Sequence, residues 1–205
     1  MGSEPFCIAC FSVQKHDVPF AQLPFMTVPS GDHVSQMNAM LMYIGESHGL
    51  AGDGSVLQRS KITEFLSGLD DLRSVYTKVV YGGAADSDAQ VAKMLLEDTN
   101  RSALFGESGR LARVNSVLAL KRAAEGTPAG QPVFAVGKAL TVADISLAAM
   151  LDDFMVILPQ AAEFEELKLV HEHVFALPAV AEYVKAAPAN RKQVNGNALG
   201  SGNSL

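Results

Sequence analysis

The sequence predicts an α/β part over residues 1–52, an all-helical part over residues 54–190, and a polar tail over residues 191–205. Three observations support this fold class. The only stretches typical of β-strands lie before residue 53. Behind that point, apolar residues recur at every third or fourth position, which is the period of amphipathic helices. The last residues are rich in Asn, Gly and Ser, so they cannot bury a core of their own.

The composition is that of a globular protein, since 48% of the 205 residues are apolar and 19% are charged. The net charge of −6 excludes a general attraction to nucleic acid or to an anionic membrane. No apolar run reaches the ~18 residues of a transmembrane helix. The stretch Phe6–Val13 is short and lacks a basic flank, unlike a secretion signal. Because two cysteines also fit a reducing compartment, we expect a cytoplasmic protein.

Three short stretches in the α/β part are predicted to be strands: Phe6–Val13, Phe25–Val28 and a stub near Val34, which follows the turn PSGDH. The triplet Gln-Leu-Pro at residues 22–24 stands directly before the second of them. Proline cannot donate a hydrogen bond to a sheet, so it belongs at the first residue of a strand, at an edge or in a tight turn. The triplet is therefore expected at one of these places, in front of the short apolar run at Phe25–Val28.

The all-helical part begins with a long amphipathic helix predicted over Val56–Tyr81. The segment EGTPAGQP, residues 125–132, has the composition of a loop. Further helices are predicted over Gln90–Leu96, Leu111–Ala124, Val142–Ile157 and Phe164–Phe175, with a last one beginning at Pro178.

The strongest local signal is a capping box in VGKALTVADISLAAML, residues 136–151. Thr141 is the predicted N-cap, and the Asp144 carboxylate reaches back to the backbone N–H of Thr141. Leu140 and Ile145 have the spacing of a hydrophobic staple. Together these features stabilise the start of a helix by ~1–2 kcal/mol.

Three stretches together carry a resemblance to a known family: residues 20–52 (FAQLPFMTVPSGDHVSQMNAMLMYIGESHGLAG), 67–81 (SGLDDLRSVYTKVVY) and 134–153 (FAVGKALTVADISLAAMLDD). The chain resembles the cytosolic glutathione S-transferases, most closely the pi and sigma classes, from about Lys15 to Val194. The resemblance implies a thioredoxin-like, glutathione-binding first domain and an all-helical second domain. It further implies that glutathione is a substrate or ligand rather than a separate cofactor.

The resemblance assigns the Gln-Leu-Pro triplet to the peptide part of glutathione. In the family this proline is cis, which only an X–Pro bond adopts at modest cost. Pro24 would then turn the backbone of Leu23 outward to pair with the cysteinyl backbone of glutathione. The side-chain amide of Gln22 would reach the same peptide.

The family binds the γ-glutamyl carboxylate at a helix N-terminus that follows a Gln-Ser pair. Here the pair is Gln36-Met37, so the serine hydroxyl is absent. Losing one charge-assisted hydrogen bond costs ~1.5–3 kcal/mol of affinity. The backbone N–H groups and the helix dipole remain to attract the carboxylate.

Three further residues carry over from the resemblance. Asp71 corresponds to the aspartate that reaches the glutathione amino group across a dimer interface, although Asp70 next to it competes for this role and either residue could pair with a nearby base. Tyr81 corresponds to an aromatic residue of the hydrophobic substrate site, or it packs at the helix end. Lys15 corresponds to a lysine that binds a glutathione carboxylate. The expected partners are therefore glutathione, a small hydrophobic electrophile and a second copy of the chain in a homodimer.

Only 21 residues precede Gln22, which is fewer than a first strand, a helix and a second strand require. We therefore expect an abbreviated first domain. The family's catalytic Tyr, Ser or Cys follows the first strand, and none of the residues before the triplet has that spacing. The catalytic residue is thus unassigned, and two functions remain open: a transferase, and a transferase-like dimeric binding or scaffold protein without activity.

Other polar motifs favour structural roles. Cys7 and Cys10 form a Cys-x-x-Cys pair, but the distance to Pro24 is too short for thioredoxin-type redox chemistry, so we interpret them as packed thiols. His171 and His173 are two residues apart and point away from each other on a helix, so we predict no metal site. The pair at residues 152–153, Asp-Asp, is interpreted as a solvated helix face or a source of local hydrogen bonds.

Overall fold

The computed structural model describes residues 7–8 as backbone, residues 20 and 22, and residues 24–186. Its three antiparallel strands form one sheet in chain order: β1 (Cys7–Ile8), β2 (Phe25–Thr27) and β3 (His33–Ser35). The helices of the described residues are α1 (Met37–Ser47), α2 (Val56–Tyr81), α3 (Asp88–Leu95), α4 (Asp98–Phe105), α5 (Arg110–Glu125), α6 (Val142–Ile157), α7 (Glu165–Phe175) and α8 (Pro178–Ala186). The predicted Lys15, Leu23 and the tail at 191–205 lie outside the described residues.

Strands β2 and β3 form a tight hairpin. Phe25 pairs with Ser35, and Thr27 pairs with His33. The turn is closed by a hydrogen bond of 2.8 Å from the Gly31 N–H to the Val28 carbonyl oxygen. Pro24 precedes β2 and so needs no ladder hydrogen bond. Both strands were predicted from the sequence and are confirmed.

The long helix α2 has the bounds that the apolar period predicts. It begins after Ser55, whose hydroxyl accepts a hydrogen bond of 3.2 Å from the Gln58 N–H. Its buried face consists of Ile62, Leu66, Leu69, Leu72, Val75, Val79 and Val80. Each large side chain of this kind contributes ~1.5–3 kcal/mol when fully buried. Leu57, near its start, is 68% exposed instead.

Helix α6 lies at the centre of the helical part and packs against α2 and α7. Its capping box is present: the Asp144 carboxylate accepts hydrogen bonds of 2.8 Å from both the backbone N–H and the hydroxyl of Thr141. The other Asp144 oxygen accepts from the Ala135 N–H at 2.6 Å. Burial raises the pKa of Asp144, and these hydrogen bonds oppose the shift.

A smaller apolar cluster joins the α/β part to the helical part. Ile62 of α2 and Val142 of α6 are buried in it, and Leu41 and Met42 of α1 pack against it. The Val142 N–H also donates a hydrogen bond of 3.0 Å to the carbonyl oxygen of Leu50, beyond the end of α1. Helix α1 is therefore held on the same core as the starts of α2 and α6.

Arg122 links α5, α7 and the loop between α5 and α6. Its guanidinium donates two hydrogen bonds of 2.7 Å to the Glu166 carboxylate. It also donates to the carbonyl oxygens of Thr127, Pro128 and Gln131. All five N–H groups of the guanidinium thus have an acceptor, and three of them bond to the loop that the composition predicts.

Two short helical segments were not predicted. Helix α4, DTNRSALF, is polar over its first half and has its apolar residues together at its end, so it shows no helical period. A 3-10 helix at Pro159–Glu163 is too short to show one. In the part of the chain that the structure describes, no helix combines the length and the apolar composition needed to cross a bilayer.

Candidate functional site

The two glutamines selected from the sequence lie in contact. The side-chain amide of Gln36 donates a hydrogen bond of 2.8 Å to the side-chain oxygen of Gln22. Both residues are exposed, so a ligand can reach them from solvent. The loop before β2 and the start of α1 are therefore joined at the surface.

Gln36 also has an uncommon backbone conformation, with φ of 71° immediately before α1. A non-glycine residue in this region costs on the order of 1–3 kcal/mol, and such strain is concentrated at functional sites. Helix α1 has no acidic residue in its first turn, and its N-cap makes no side-chain hydrogen bond. Its first backbone N–H groups can therefore bind an anion.

Pro24, Met37 and Tyr81 line one cavity of about 460 Å³. They come from the start of β2, the start of α1 and the end of α2, and the family resemblance implies glutathione for the first two and a hydrophobic substrate for the third. Most of the remaining wall belongs to α2 and α6: Arg73, Tyr76, Thr77, Met150, Asp153 and Phe154. The rings of Tyr76 and Phe154 lie 5.5 Å apart and give this wall an aromatic surface. The structure thus brings together residues that are far apart in the chain, from Pro24 to Phe154.

Two charged residues in this wall were not selected from the sequence. Arg73 donates a hydrogen bond of 2.8 Å from Nη1 to the Met37 sulfur. Burial raises the pKa of Asp153 to about 6, and the positive charge of Arg73 opposes this shift. Neither residue belongs to a local motif, and the sequence could not show that α2 and α6 bring them to one cavity.

The structure separates the two neighbouring aspartates of α6. Both are half-buried, and the sequence left a solvated helix face and local hydrogen bonding as alternatives for them. Asp152 Oδ1 lies 3.1 Å from His171 Nε2, which fits the alternative of local hydrogen bonding. Asp153 instead lines the cavity. Only the second of them can contact a molecule bound there.

Asp71 does not line the same cavity as Pro24 and Met37. It lies at a second cavity of about 530 Å³ between α2 and α5, lined by Phe65, Val114, Val117 and several basic residues among others. The competing Asp70 accepts a hydrogen bond of 2.7 Å from the Asn38 amide. The Asp71 carboxylate has no hydrogen-bond partner among the described residues. Within one chain, Asp71 is therefore separate from the site formed by Pro24 and Met37.

Comparison with known proteins identifies the family to which the helical part of the chain belongs. The model of the family "Glutathione S-transferase, C-terminal domain" matches residues 70–187, more than half of the 205 residues. The chain therefore belongs to the glutathione S-transferase family, as the resemblance of the three stretches predicted.

Relatives and solved structures agree with this assignment. The chain is 26% identical over 185 residues to a glutathione S-transferase of Dirofilaria immitis, covering 89% of this chain and 79% of the relative. It is 27% identical over 185 residues to glutathione S-transferase P of Caenorhabditis elegans, with the same coverage. The pi-class glutathione S-transferase of Onchocerca volvulus has a TM-score of 0.69 at 24% identity, covering 90% of this chain and 80% of that one. This likeness confirms the predicted fold class.

Proposed function

We propose that the protein is a glutathione S-transferase that conjugates glutathione to small hydrophobic electrophiles. One observation carries the proposal: residues assigned to glutathione and a residue assigned to the second substrate line a single cavity. A transferase of this kind needs both molecules side by side, because holding reacting groups together removes much of the entropic barrier.

Glutathione would bind along the loop before β2 and the start of α1. Gln22 and the backbone at Leu23 and Pro24 would hold the peptide, and Gln36 with the first N–H groups of α1 would hold the γ-glutamyl carboxylate. Lys15 would bind the other carboxylate, as the resemblance implies. No residue is assigned to lowering the pKa of the glutathione thiol.

The second substrate would occupy the wall made by α2 and α6. Tyr76, Met150 and Phe154 give it aromatic and apolar surface, which suits a hydrophobic electrophile. Tyr81, the last residue of α2, lines the same cavity and is 57% exposed.

We further propose that two copies form a homodimer in the cytoplasm. Phe20 is 74% exposed, and Val117 and Leu120 of α5 are 54% and 73% exposed. Phe20 of one chain would pack against the apolar surface of α5 in the other chain. Asp71 lies at the cavity beside that surface, where it would reach glutathione bound to the partner. One structural neighbour, from Necator americanus, is described as monomeric; it has a TM-score of 0.63 at 21% identity and covers 85% of this chain and 78% of that one.

The test is retention on glutathione resin together with conjugation of chlorodinitrobenzene by the purified protein. We expect both activities, and we expect Gln22→Ala to reduce both because it removes one partner of the glutamine pair. Cys7→Ser and Cys10→Ser are the matched controls, which should leave both unchanged. Loss of conjugation in a cysteine variant would show that a thiol takes part in the chemistry. Retention without conjugation above the uncatalysed rate would support a binding protein instead of an enzyme.

A further inference from the structure

The cavity of the proposed function holds two opposite charges that do not pair with each other. Arg73 and Asp153 are the charged residues among its described lining residues. The Arg73 guanidinium bonds to the Met37 sulfur, and it influences Asp153 only through its charge. Arg73 is therefore directed toward the start of α1, where the glutathione carboxylate is expected, whereas Asp153 lies on α6.

The Asp153 carboxylate has no hydrogen-bond partner among the described residues. It is half-buried beside Met150 and Phe154, and this burial raises its pKa. A carboxylate can accept about four hydrogen bonds, and leaving a buried one unpaired costs free energy. A bound molecule that donates to this carboxylate would recover part of that cost.

We propose that Asp153 determines substrate specificity by selecting electrophiles that carry an ammonium or another strong hydrogen-bond donor on their apolar body. The inference rests on the proposed function, since it concerns the second substrate of that same site. The aromatic wall would hold the apolar body, and Asp153 would accept from the donor group. An anionic group is disfavoured at this position because the carboxylate repels it.

The experiment measures, by calorimetry, the binding of glutathione conjugates that differ only in their tails. S-hexylglutathione has an apolar tail, S-aminohexylglutathione has a cationic one, and S-carboxypentylglutathione has an anionic one. We expect Asp153→Asn to weaken binding of the aminohexyl conjugate about tenfold, the size of one charge-assisted hydrogen bond. Binding of the hexyl conjugate should change less than about twofold, and the carboxypentyl conjugate should bind more tightly to the variant.

Two further variants make the result specific. Asp153→Glu keeps the charge and should retain the preference for the aminohexyl conjugate. Asp152→Asn removes the neighbouring carboxylate, which lies 3.1 Å from His171, and should leave the three affinities in the same order. Circular dichroism of each variant checks that it folds.

The outcomes separate the two proposals. If Asp153→Asn weakens the hexyl and aminohexyl conjugates equally, the specificity inference is wrong while glutathione binding stands. Preferential loss of the carboxypentyl conjugate would overturn the inference as well, because it would assign the selectivity to Arg73. If no conjugate binds to the wild-type protein, the proposed function fails and this inference fails with it.

Discussion

Asp153 should make the stability of the protein depend on pH. Its pKa of about 6 lies above the ordinary 3.8, so between these values the folded protein binds more protons than the unfolded chain. Stability is therefore lost as the pH rises through this window. We expect the Asp153→Asn variant to gain stability relative to wild type from pH 4 to pH 7, as measured by urea unfolding at several pH values.

Arg73 provides the second part of this prediction. Its charge favours ionised Asp153, so Arg73→Met should raise the pKa of Asp153 further and extend the window to higher pH. A stability difference between Asp153→Asn and wild type that stays constant over this range would contradict the account, because it would show that the carboxyl group does not titrate there.

Some candidate site residues could be selected from the sequence, and others could not. Gln22, Pro24, Gln36 and Met37 belong to short motifs whose residues are neighbours in the chain, and the resemblance of these motifs to the family was enough to select them as candidates. Asp153 becomes part of the cavity only because α6 packs against α2. Periodicity tells which face of a helix is buried, but it does not tell what lies opposite that face.

The hydrogen bonds of Arg122, which join α5, α7 and the loop between α5 and α6, have the largest expected effect on stability. Arg122→Met leaves the Glu166 carboxylate buried, with its side chain 8% exposed, and removes the donors to three carbonyl groups. We expect a loss of ~3–5 kcal/mol in the free energy of unfolding. The double variant Arg122→Met, Glu166→Leu should recover part of this loss, since it removes both charges.

The matched control is the exposed pair between Lys168 and Glu172, whose N–O distance is 3.8 Å. Lys168→Met should cost less than ~1 kcal/mol because solvent screens such pairs. Denaturant unfolding of the three variants tests the comparison. Equal losses in Arg122→Met and Lys168→Met would show that the Arg122 hydrogen bonds contribute no more to stability than a surface ion pair.

The helices were predictable where their own residues carry a clear signal. Helix α2 has a clear period and α6 has a capping box, and both begin and end where the sequence places them. Helix α4 has neither, since its N-cap Glu97 makes no side-chain hydrogen bond. It is held instead by contacts with α5, α2 and α3, which are tertiary and leave no pattern in its own eight residues.

The proposed homodimer should respond to charges that are placed on its interface. Phe20→Asp and Val117→Asp each place a carboxylate on an exposed apolar position of the proposed interface, and burial of an unpaired charge opposes association. We expect sedimentation at micromolar concentration to show a dimer for wild type and a monomer for each variant. Tyr183→Asp is the control, because Tyr183 is 64% exposed on α8 and should leave the dimer intact. A monomeric wild-type protein would contradict the proposed homodimer and would match the Necator americanus neighbour.

Helix α2 lines both cavities, with Asp71 at one and Arg73 two residues later at the other. As a rigid rod of about 1.5 Å per residue, it connects the proposed contact with a second copy to the proposed binding of ligand. If both equilibria change the position of this helix, they are thermodynamically linked, and the linkage is reciprocal: ligand would tighten self-association by the same factor by which self-association tightens ligand binding. The apparent affinity for glutathione would then rise with protein concentration, so titrations over a dilution series would measure the two equilibria together.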